Sequence, residues 1–396
     1  MRVCMLAYTF YEFDARVRRY AETLAKRGDD VDVIALGQNH QPPTDIIQGV
    51  HLFRIQRRTY NEKARLSYLL KLLLFFLRST LFLTKRQLQH RYDLIHVHSV
   101  PDFEVFAAWL PKLMGSRIIL DIHDLVPEFY ASKFNVTPRS MIFKLLAAIE
   151  WLSAAFADHV IVANDIWRKR LTERSTKESK CTAILNFPDR SVFFQRGRKR
   201  NGRKFTMLYP GTLNYHQGVD VAIRAFALIK DAASDAEFHI YGRGPARDSL
   251  AALIAELRLE GRVFLKECVA TPELATIMEN SDLGVVPKRK TPFANEAFST
   301  KILEFMAQGV PVLVSDTLVD RHYFNESLVK FFRGEEERDL ADSMLLLFKD
   351  EELRHRLAEN AGAYVDLNNW DVKKELYLGI VDSLTRNRKG QEAVVV

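Results

Sequence analysis

A chain of 396 residues, 47% hydrophobic and 27% charged, has the length for two or three domains and the apolar content for their cores, which excludes a disordered or fibrous protein. Cys4, Cys181 and Cys268 lie far apart with no CxxC pair, which argues against a disulfide scaffold or a cysteine metal cluster and points to a reducing cytoplasm. The net charge of +7 divides into 34 Lys+Arg against 20 Asp+Glu over residues 1–204 and 23 against 30 over 205–396, so the first half should attract anionic lipid or nucleic acid, and no RNP, zinc-finger or basic-helix motif supports nucleic acid.

Residues 1–7 read as a short strand, too brief for an export signal. Val17, Tyr20, Ala21 and Leu24 recur at helical spacing across 14–26, and Gly28 closes that helix. Residues 31–36 form a second strand. Asp30-Val31-Asp32 matches the D-x-D of metal-dependent sugar transferases, but it precedes a strand, opposite the usual ligand end, and is read as coincidence. Residues 66–83 are unusually apolar, interrupted by Lys71 and Arg78 and flanked by Arg57, Arg58, Lys63, Arg65, Lys85 and Arg86. They are marginal for a membrane span. Two readings stay open: a buried core helix, or a helix lying on an anionic membrane surface.

Strands follow at 93–97, 117–122 and 159–163, each after a helical stretch, and such alternation predicts a parallel, doubly wound sheet. His96 and His98 share one strand face by alternation. Grouped with His123 they would resemble a metal set, but alternation alone accounts for the pair. His123 falls just past a strand end, with Asp121, Asp124 and Glu128 near enough to orient it or raise its pKa.

The polar, basic run 195–204 reads as a domain linker. The pattern then restarts, with strands at 206–209, 237–241 and 263–265 and helices at 220–230, 247–257 and 271–280. The last helix opens on Thr-Pro, fitting an N-cap with proline at the first helical position. Gly211 and Gly218 mark the first loop of this half as one that allows close backbone approach to a ligand. The 241–247 loop approaches G-x-G-x-x-G but carries Arg247 in place of the third glycine, so it suits a base or phosphate better than a dinucleotide. Residues 370–384 form a final amphipathic helix expected to pack back on the first domain, and the tail from Thr385 is expected to be disordered.

The densest signal lies at 295–307. Glu296 and Glu304 have seven residues between them. Residues 301–308 read as a helix stopped by Gly309, with Ser299 or Thr300 as its N-cap. Strands at 282–287 and 309–316 bracket it, so the 288–296 loop sits at the carboxyl end of a strand, where open α/β sheets bind ligands. A helix start offers N–H groups to an anion, and Lys301 adds a cation there. A phosphate held between two acids that grip hydroxyl groups is the chemistry of a nucleotide-sugar site.

Taken together these pieces resemble the family-4 retaining glycosyltransferases of the GT-B fold. The likeness covers nearly the whole chain. It rests on the 14–17 helix start, Tyr92-Asp-Leu-Ile-His-Val-His98, the 121–128 segment, Tyr209-Pro-Gly-Thr212, Tyr241-Gly-Arg-Gly-Pro245, and the Glu296…Glu304 pair, which looks like the family's E-x7-E motif. The resemblance implies an α/β architecture of two Rossmann-like domains facing a central cleft: 1–194 for acceptor, a 195–204 linker, 205–369 for donor, and 370–396 crossing back to the first domain. It implies catalytic roles for His123, Glu296 and Lys301. Glu304 would hold the donor ribose, and Glu296 and His123 the transferred sugar. Backbone around Ser299, Thr300 and Ile302 would hold the diphosphate with Lys301, and Gly211 and Gly244 would line the nucleotide pocket. Asp14, Arg16, Asp124 and Glu128 fall to the acceptor side.

Where the family commonly carries Arg and Lys in the first loop, this chain has Thr212 and Gln217. Lys301 must then carry more of the phosphate charge, helped by Arg243, Lys288 or Arg289. No cofactor and no metal are implied. The expected reaction moves a sugar from a UDP- or GDP-type donor to a saccharide, one linked to lipid in surface-polysaccharide assembly, with retention and with closure of the two domains to exclude water. The implied location is the cytoplasm, at the inner membrane face. Rival readings are a GT-B nucleotide-sugar epimerase, a non-catalytic nucleotide-sugar sensor and, less well matched, a dinucleotide oxidoreductase.

Overall fold

The structure, a computed structural model, describes residues 1–58, 65–134, 136–197 and 204–392. Lys63 and positions 198–203 of the expected linker lie outside the described residues. The chain divides into two compact units, Met1–Leu185 with Lys374 onward, and Asn186–Lys373. Residues 186–197 belong with the second unit: the backbone N–H of Arg196 donates to Glu279, and Gln195 lies against Gly309.

The first unit is built on strands β1 (Arg2–Phe10), β2 (Asp30–Gly37), β3 (Thr44–Ile47), β4 (Val50–Arg57), β5 (Leu94–His98), β6 (Arg117–Ile122), β7 (His159–Val162) and β8 (Cys181–Ala183), in the order β3-β4-β2-β1-β5-β6-β7-β8. Only β3 runs antiparallel to its neighbour. Val3, Cys4, Met5 and Leu6 of β1 are wholly buried, as a strand covered on both faces requires. Helix α1 (Ala15–Arg27) starts where the Asp14 carboxylate accepts the N–H groups of Arg16 and Val17, and ends at Gly28 in the left-handed region (φ 95°).

Helix α2 (Arg65–Gln89) buries one stripe, Leu72, Phe75, Ser79, Leu83 and Gln87, spaced by three and four. Its other face keeps Leu70, Leu77 and Leu81 at 58%, 57% and 71% exposure. The helix therefore lies on the unit with an apolar outer face, a combination that neither open reading of 66–83 specified. The C-terminal helix runs Trp370–Glu392, so the expectation of disorder from Thr385 is corrected as far as Glu392, and positions 393–396 lie outside the described residues. Tyr377 and Val381 are buried in the first unit, and Arg27 pairs with Asp382 at 2.7 Å.

The second unit is a six-stranded parallel sheet of β9 (Phe205–Pro210), β10 (Ala236–Tyr241), β11 (Val263–Lys266), β12 (Leu283–Val286), β13 (Val312–Ser315) and β14 (Lys330–Phe332), ordered β11-β10-β9-β12-β13-β14. The chain winds outward from β9 to β11 and then returns to place β12 on the other side of β9. This reversal is the topological switch point, where ligands of open α/β sheets bind. The N-cap of the Thr271–Glu279 helix is Ala270, not Thr271. The fixed φ of Pro272 suits the first turn, and the cap is left to the extended backbone one residue earlier.

Candidate functional site

Three loops meet at the carboxyl edge of the second sheet, those after β9, β10 and β12. The loop after β9 is stitched to both others. Gly211 N–H donates to the Tyr241 carbonyl at 2.8 Å, Leu213 N–H to Arg243 at 2.8 Å, and Arg289 N–H to His216 at 3.0 Å. This proximity explains the glycines. A Cβ on Gly218 would stand 1.9 Å from the Pro287 carbonyl oxygen, and one on Gly244 2.4 Å from that of Leu213.

Lys301 lies at this junction. It is the second residue of the Thr300–Ala307 helix, and its Nζ sits 5.5 Å from the Tyr209 ring centroid. A Cβ on Gly211 (φ 151°) would come within 2.2 Å of Lys301 Cε, so glycine there makes room for the lysine. We expect Gly211→Ala to displace the ammonium and lower turnover about 10²-fold without unfolding the chain, read by steady-state rates beside a melting curve. Ser299 caps the helix without a side-chain cap bond, and its buried hydroxyl has no hydrogen-bond partner. Ile302 is in the core, and its N–H already reaches the Ser299 carbonyl at 3.3 Å, which leaves the Thr300 and Lys301 N–H groups with no carbonyl one turn back.

Burial brings the Lys301 ammonium down to about 8, with Lys288 adding to the fall while Glu304 and Asp320 oppose it. Burial also lowers His216, helped by Lys301 and Lys288, so this imidazole is neutral beside them. The other expected cations are engaged elsewhere. Lys288 Nζ is 2.8 Å from Asp320 and 2.8 Å from the Ala297 carbonyl. Arg289 spans Asp220 and Glu335 while lying over the Tyr215 ring. Arg243 extends into solvent, 71% exposed, toward Glu267 at 3.3 Å. Thr212 accepts the Tyr209 hydroxyl on its carbonyl, and the Gln217 amide spans Tyr209 and His216. Glu296 is buried and Glu304 partly so, one helical turn beyond Lys301.

In the first unit His123 stands past the end of β6, partly exposed. Its Nε2 is 3.1 Å from Asp121 Oδ2 and 3.2 Å from His98 Nδ1. Asp121 is fully buried and receives Arg16 through two bonds of 2.7 Å. Burial pushes the Asp121 carboxyl up, but Arg16 and the two histidines outweigh it and hold the group well below the usual carboxylate range. Burial lowers both His96 and His98, so both are neutral. Their rings stack at 4.1 Å, and His96 Nδ1 meets the Tyr377 hydroxyl at 3.0 Å. A neutral His98 protonated on Nδ1 donates to Asp121 and leaves Nε2, which has no partner, as a bare acceptor. His123 with its Nε2 proton on Asp121 has Nδ1 left for a ligand.

Residues 15–192 match the model described as Glycosyltransferase Family 4, and 192–363 that described as Glycosyl transferases group 1. Alpha-D-kanosaminyltransferase of Streptomyces kanamyceticus is 31% identical over 288 residues, covering 67% of this chain and 71% of that one. The chain belongs to glycosyltransferase family 4. A relative from Campylobacter jejuni, N,N'-diacetylbacillosaminyl-diphospho-undecaprenol alpha-1,3-N-acetylgalactosaminyltransferase, is 24% identical over 60% of this chain and 63% of its own. Among solved structures, Anabaena HepE in complex with UDP superimposes with a TM-score of 0.71 at 16% identity, over 97% of this chain and all of that one. The fold of this glycosyltransferase is GT-B.

Of the residues assigned from the sequence of this family-4 glycosyltransferase, the structure brings Gly211, Thr212, Gln217, Ser299, Thr300, Lys301 and Glu304 together at the β9–β12 switch point. The acceptor set is dispersed in role. Asp14 caps α1, Arg16 is wholly engaged by Asp121 and the Ile184 carbonyl, and Glu128 forms a bidentate pair with Arg174 at 2.5 and 2.9 Å. Asp124 alone stands beside His123, its carboxyl raised by burial against the pull of that histidine. Asp30 and Asp32, set aside as coincidence, bond to Arg2 and to the Tyr92 hydroxyl. Sequence reasoning missed His216 and Tyr209, which flank Lys301. The place of His216 in the loop between two glycines, and of Tyr209 at the end of the strand that leads into it, was the available signal.

Proposed function

We propose that the donor of this glycosyltransferase is a nucleoside-diphosphate sugar, and that the sugar passes with retained configuration, and without a metal, to a saccharide linked to lipid. The observation that carries the reading is Lys301, a buried-side ammonium packed on Gly211 at the switch point, next to a buried Ser299 hydroxyl with no partner. A diphosphate supplies what both lack, negative charge and acceptor oxygens, and the helix start adds N–H groups. Glu304 is assigned to the ribose, Glu296 and His123 to the transferred sugar, and Asp124 to the acceptor.

In this reading the bond between the anomeric carbon and the phosphate oxygen breaks and its electron pair stays on the diphosphate, where Lys301 and the helix start stabilise it. The acceptor hydroxyl attacks the same face, and its proton goes to that phosphate oxygen. Lys301 supplies the charge a divalent ion would otherwise bring. The UDP of the Anabaena structure supports trying uridine donors first, and the Campylobacter relative's name supports a polyprenyl-diphosphate-linked saccharide. The exposed leucines of α2 support a place at the cytoplasmic face of a membrane, as does the length and apolarity of Ser67–Gln89, sufficient on composition to cross one.

The test is a melting screen against UDP, GDP and their sugars in EDTA, followed by transfer assays. One nucleotide should raise stability by about 2.7 kcal/mol at a hundredfold excess over its Kd. Binding or transfer that appears only after a divalent ion is restored refutes the metal-free assignment. An epimer formed from donor alone makes the chain an epimerase. Binding with no turnover of any donor makes it a sensor.

A further inference from the structure

The Met141–Phe156 helix, which the mechanism above does not use, packs with its polarity reversed. The side chains it buries are Glu150, Ser153 and Ala154. Arg174 holds Glu150 there through two bonds, and the Ser175 hydroxyl adds a third. The outward side carries Met141, Leu145, Ala148, Leu152 and Ala155, spaced by four and three and all exposed. Met141 and Leu145 are 81% and 60% exposed, and Trp151 beside them is exposed too. A helix folded for water turns the opposite side outward.

This helix lies on the connection from β6 to β7, and α2 on that from β4 to β5. Both connections join parallel strands in the same direction along the sheet, so right-handed crossover places both helices on one face of the first unit. Helix α1 crosses the other way and shares the opposite face with the C-terminal helix, Tyr20 meeting Tyr377 at 4.3 Å. The 102–108 segment bridges α2 and the Met141–Phe156 helix, with Phe103 edge-on to Phe76 at 5.9 Å and Phe106 edge-on to Phe156 at 5.3 Å. The Trp109–Leu113 helix continues that segment and adds exposed Trp109 and Leu113. The outward leucines of α2 and the stripe on the Met141–Phe156 helix therefore belong to one apolar layer, the mark of an interaction surface.

Charge selects the partner. Among the described residues, the charged side chains that these elements leave exposed or half-buried are all cations: Lys71, Arg78, Lys85, Arg86, Lys112 and Lys144. Arg86 and Lys112 approach Asp32 and Asp158, while Arg78, Lys85 and Lys144 meet no carboxylate among the described residues. The acids of the same elements, Asp102, Glu104 and Glu150, are buried. Two copies of a cationic face repel each other, an anionic lipid surface attracts it, and tryptophan suits the boundary of that surface.

We propose that α2, the Trp109–Leu113 helix and the Met141–Phe156 helix form one face that docks on an anionic bilayer, with Leu145, Leu152 and Trp151 entering it beside the leucines of α2. The inference adds a second long helix to the membrane contact proposed above and rests on that contact.

Flotation of the full chain with vesicles of phosphatidylcholine, alone or with phosphatidylglycerol, tests both. Leu145→Glu with Leu152→Glu should lower binding to the phosphatidylglycerol vesicles by at least about tenfold, and Leu77→Glu with Leu81→Glu by a similar factor. Leu228→Glu with Leu367→Glu, the same charge change at exposed positions of the second unit, should leave binding unchanged. Every one of these positions is exposed, so the melting curves should stay close to wild type. Vesicles brominated in their acyl chains should quench the tryptophan fluorescence of the chain. Trp151→Phe should bind as wild type does and lose part of that quenching.

Binding lost only in the α2 pair, with quenching unchanged in Trp151→Phe, overturns the two-helix face and leaves the α2 contact standing. No binding to either vesicle overturns both. Equal binding to neutral and anionic vesicles overturns the anionic partner. A dimer in light scattering that Leu145→Glu with Leu152→Glu dissolves, with no quenching by brominated lipid, assigns the face to a second copy and overturns the lipid surface.

Discussion

Lys301→Ala is expected to lower kcat by about 10²–10³ with little change in the melting curve, because one preorganised charge at the departing diphosphate is worth that much and no other described cation at the β9–β12 junction is similarly placed. Lys288, the nearest rival, ends on Asp320, and Arg243 ends in solvent. The pH profile provides an independent readout. With the ammonium at about 8, kcat/KM should fall as pH rises through 8. Lys301→Arg stays charged, so that limb should vanish although the plateau drops, since a planar guanidinium does not reproduce a point charge beside Gly211.

Stability should move in the opposite sense. The folded state holds the Lys301 proton less tightly than the unfolded chain, near 10.4, so between pH 8 and about 10.4 unfolding takes up a proton and the fold gains stability as pH rises. Lys301→Met should lose this slope and melt no lower than the wild type. Wild-type turnover in Lys301→Ala would remove the lysine from the mechanism.

Arg16→Met should be the most destabilising single change discussed here, at about 3–5 kcal/mol, because it strands the buried Asp121 carboxylate. For a unit of this size the midpoint falls by roughly 10 °C. Arg16→Met with Asp121→Leu should recover part of the loss, since a pair replaced by apolar groups leaves no buried charge. Acid should act in two stages. His96 and His98 stay neutral in the fold, so below about 6.5 the unfolded chain gains protons that the fold refuses, and stability declines. Asp121 has its folded pKa depressed, so its contribution is complete above about 3.9 and goes only as pH falls through the lower folded value. Urea titrations of the full chain from pH 7 to 3 read the histidine stage and the onset of the aspartate stage. An Arg16→Met midpoint within a degree or two of wild type would refute the role of the pair.

How far the site was legible depended on the range of the interaction involved. Lys301 and Glu304 sit on one short helix and Glu296 in the turn just before it, and a helix start after a strand end is a local pattern. The glycines at 211, 218 and 244 were legible as points of close approach, although what approached was not: a lysine at one and carbonyl oxygens at the others. Arg16 and Glu128 were placed on the acceptor side by the likeness of the 14–17 and 121–128 segments to the family. The structure pairs them with Asp121 and Arg174, and Arg16 meets its partner across a separation of 105 residues. No local spacing reports such a contact. Strands β3 and β4 were missed altogether: β3 is a four-residue strand at the sheet edge, and β4 beside it alternates in burial where the inner strands are continuously apolar.

The sequence by itself determined the alternation that makes two parallel sheets, the ends of α1 at Asp14 and Gly28, and the grouping of Glu296, Lys301 and Glu304. Each follows from backbone propensity, capping or periodicity within a few residues. Only the tertiary structure decided which charges are free to act. Lys301 keeps its place because Gly211, ninety positions earlier, leaves it room, while Arg16, Lys288 and Arg289 are held by carboxylates from other elements. It also decided which side of α2 faces outward, since a helix apolar all round carries no periodic signal and only packing against the sheet selects the stripe that is buried.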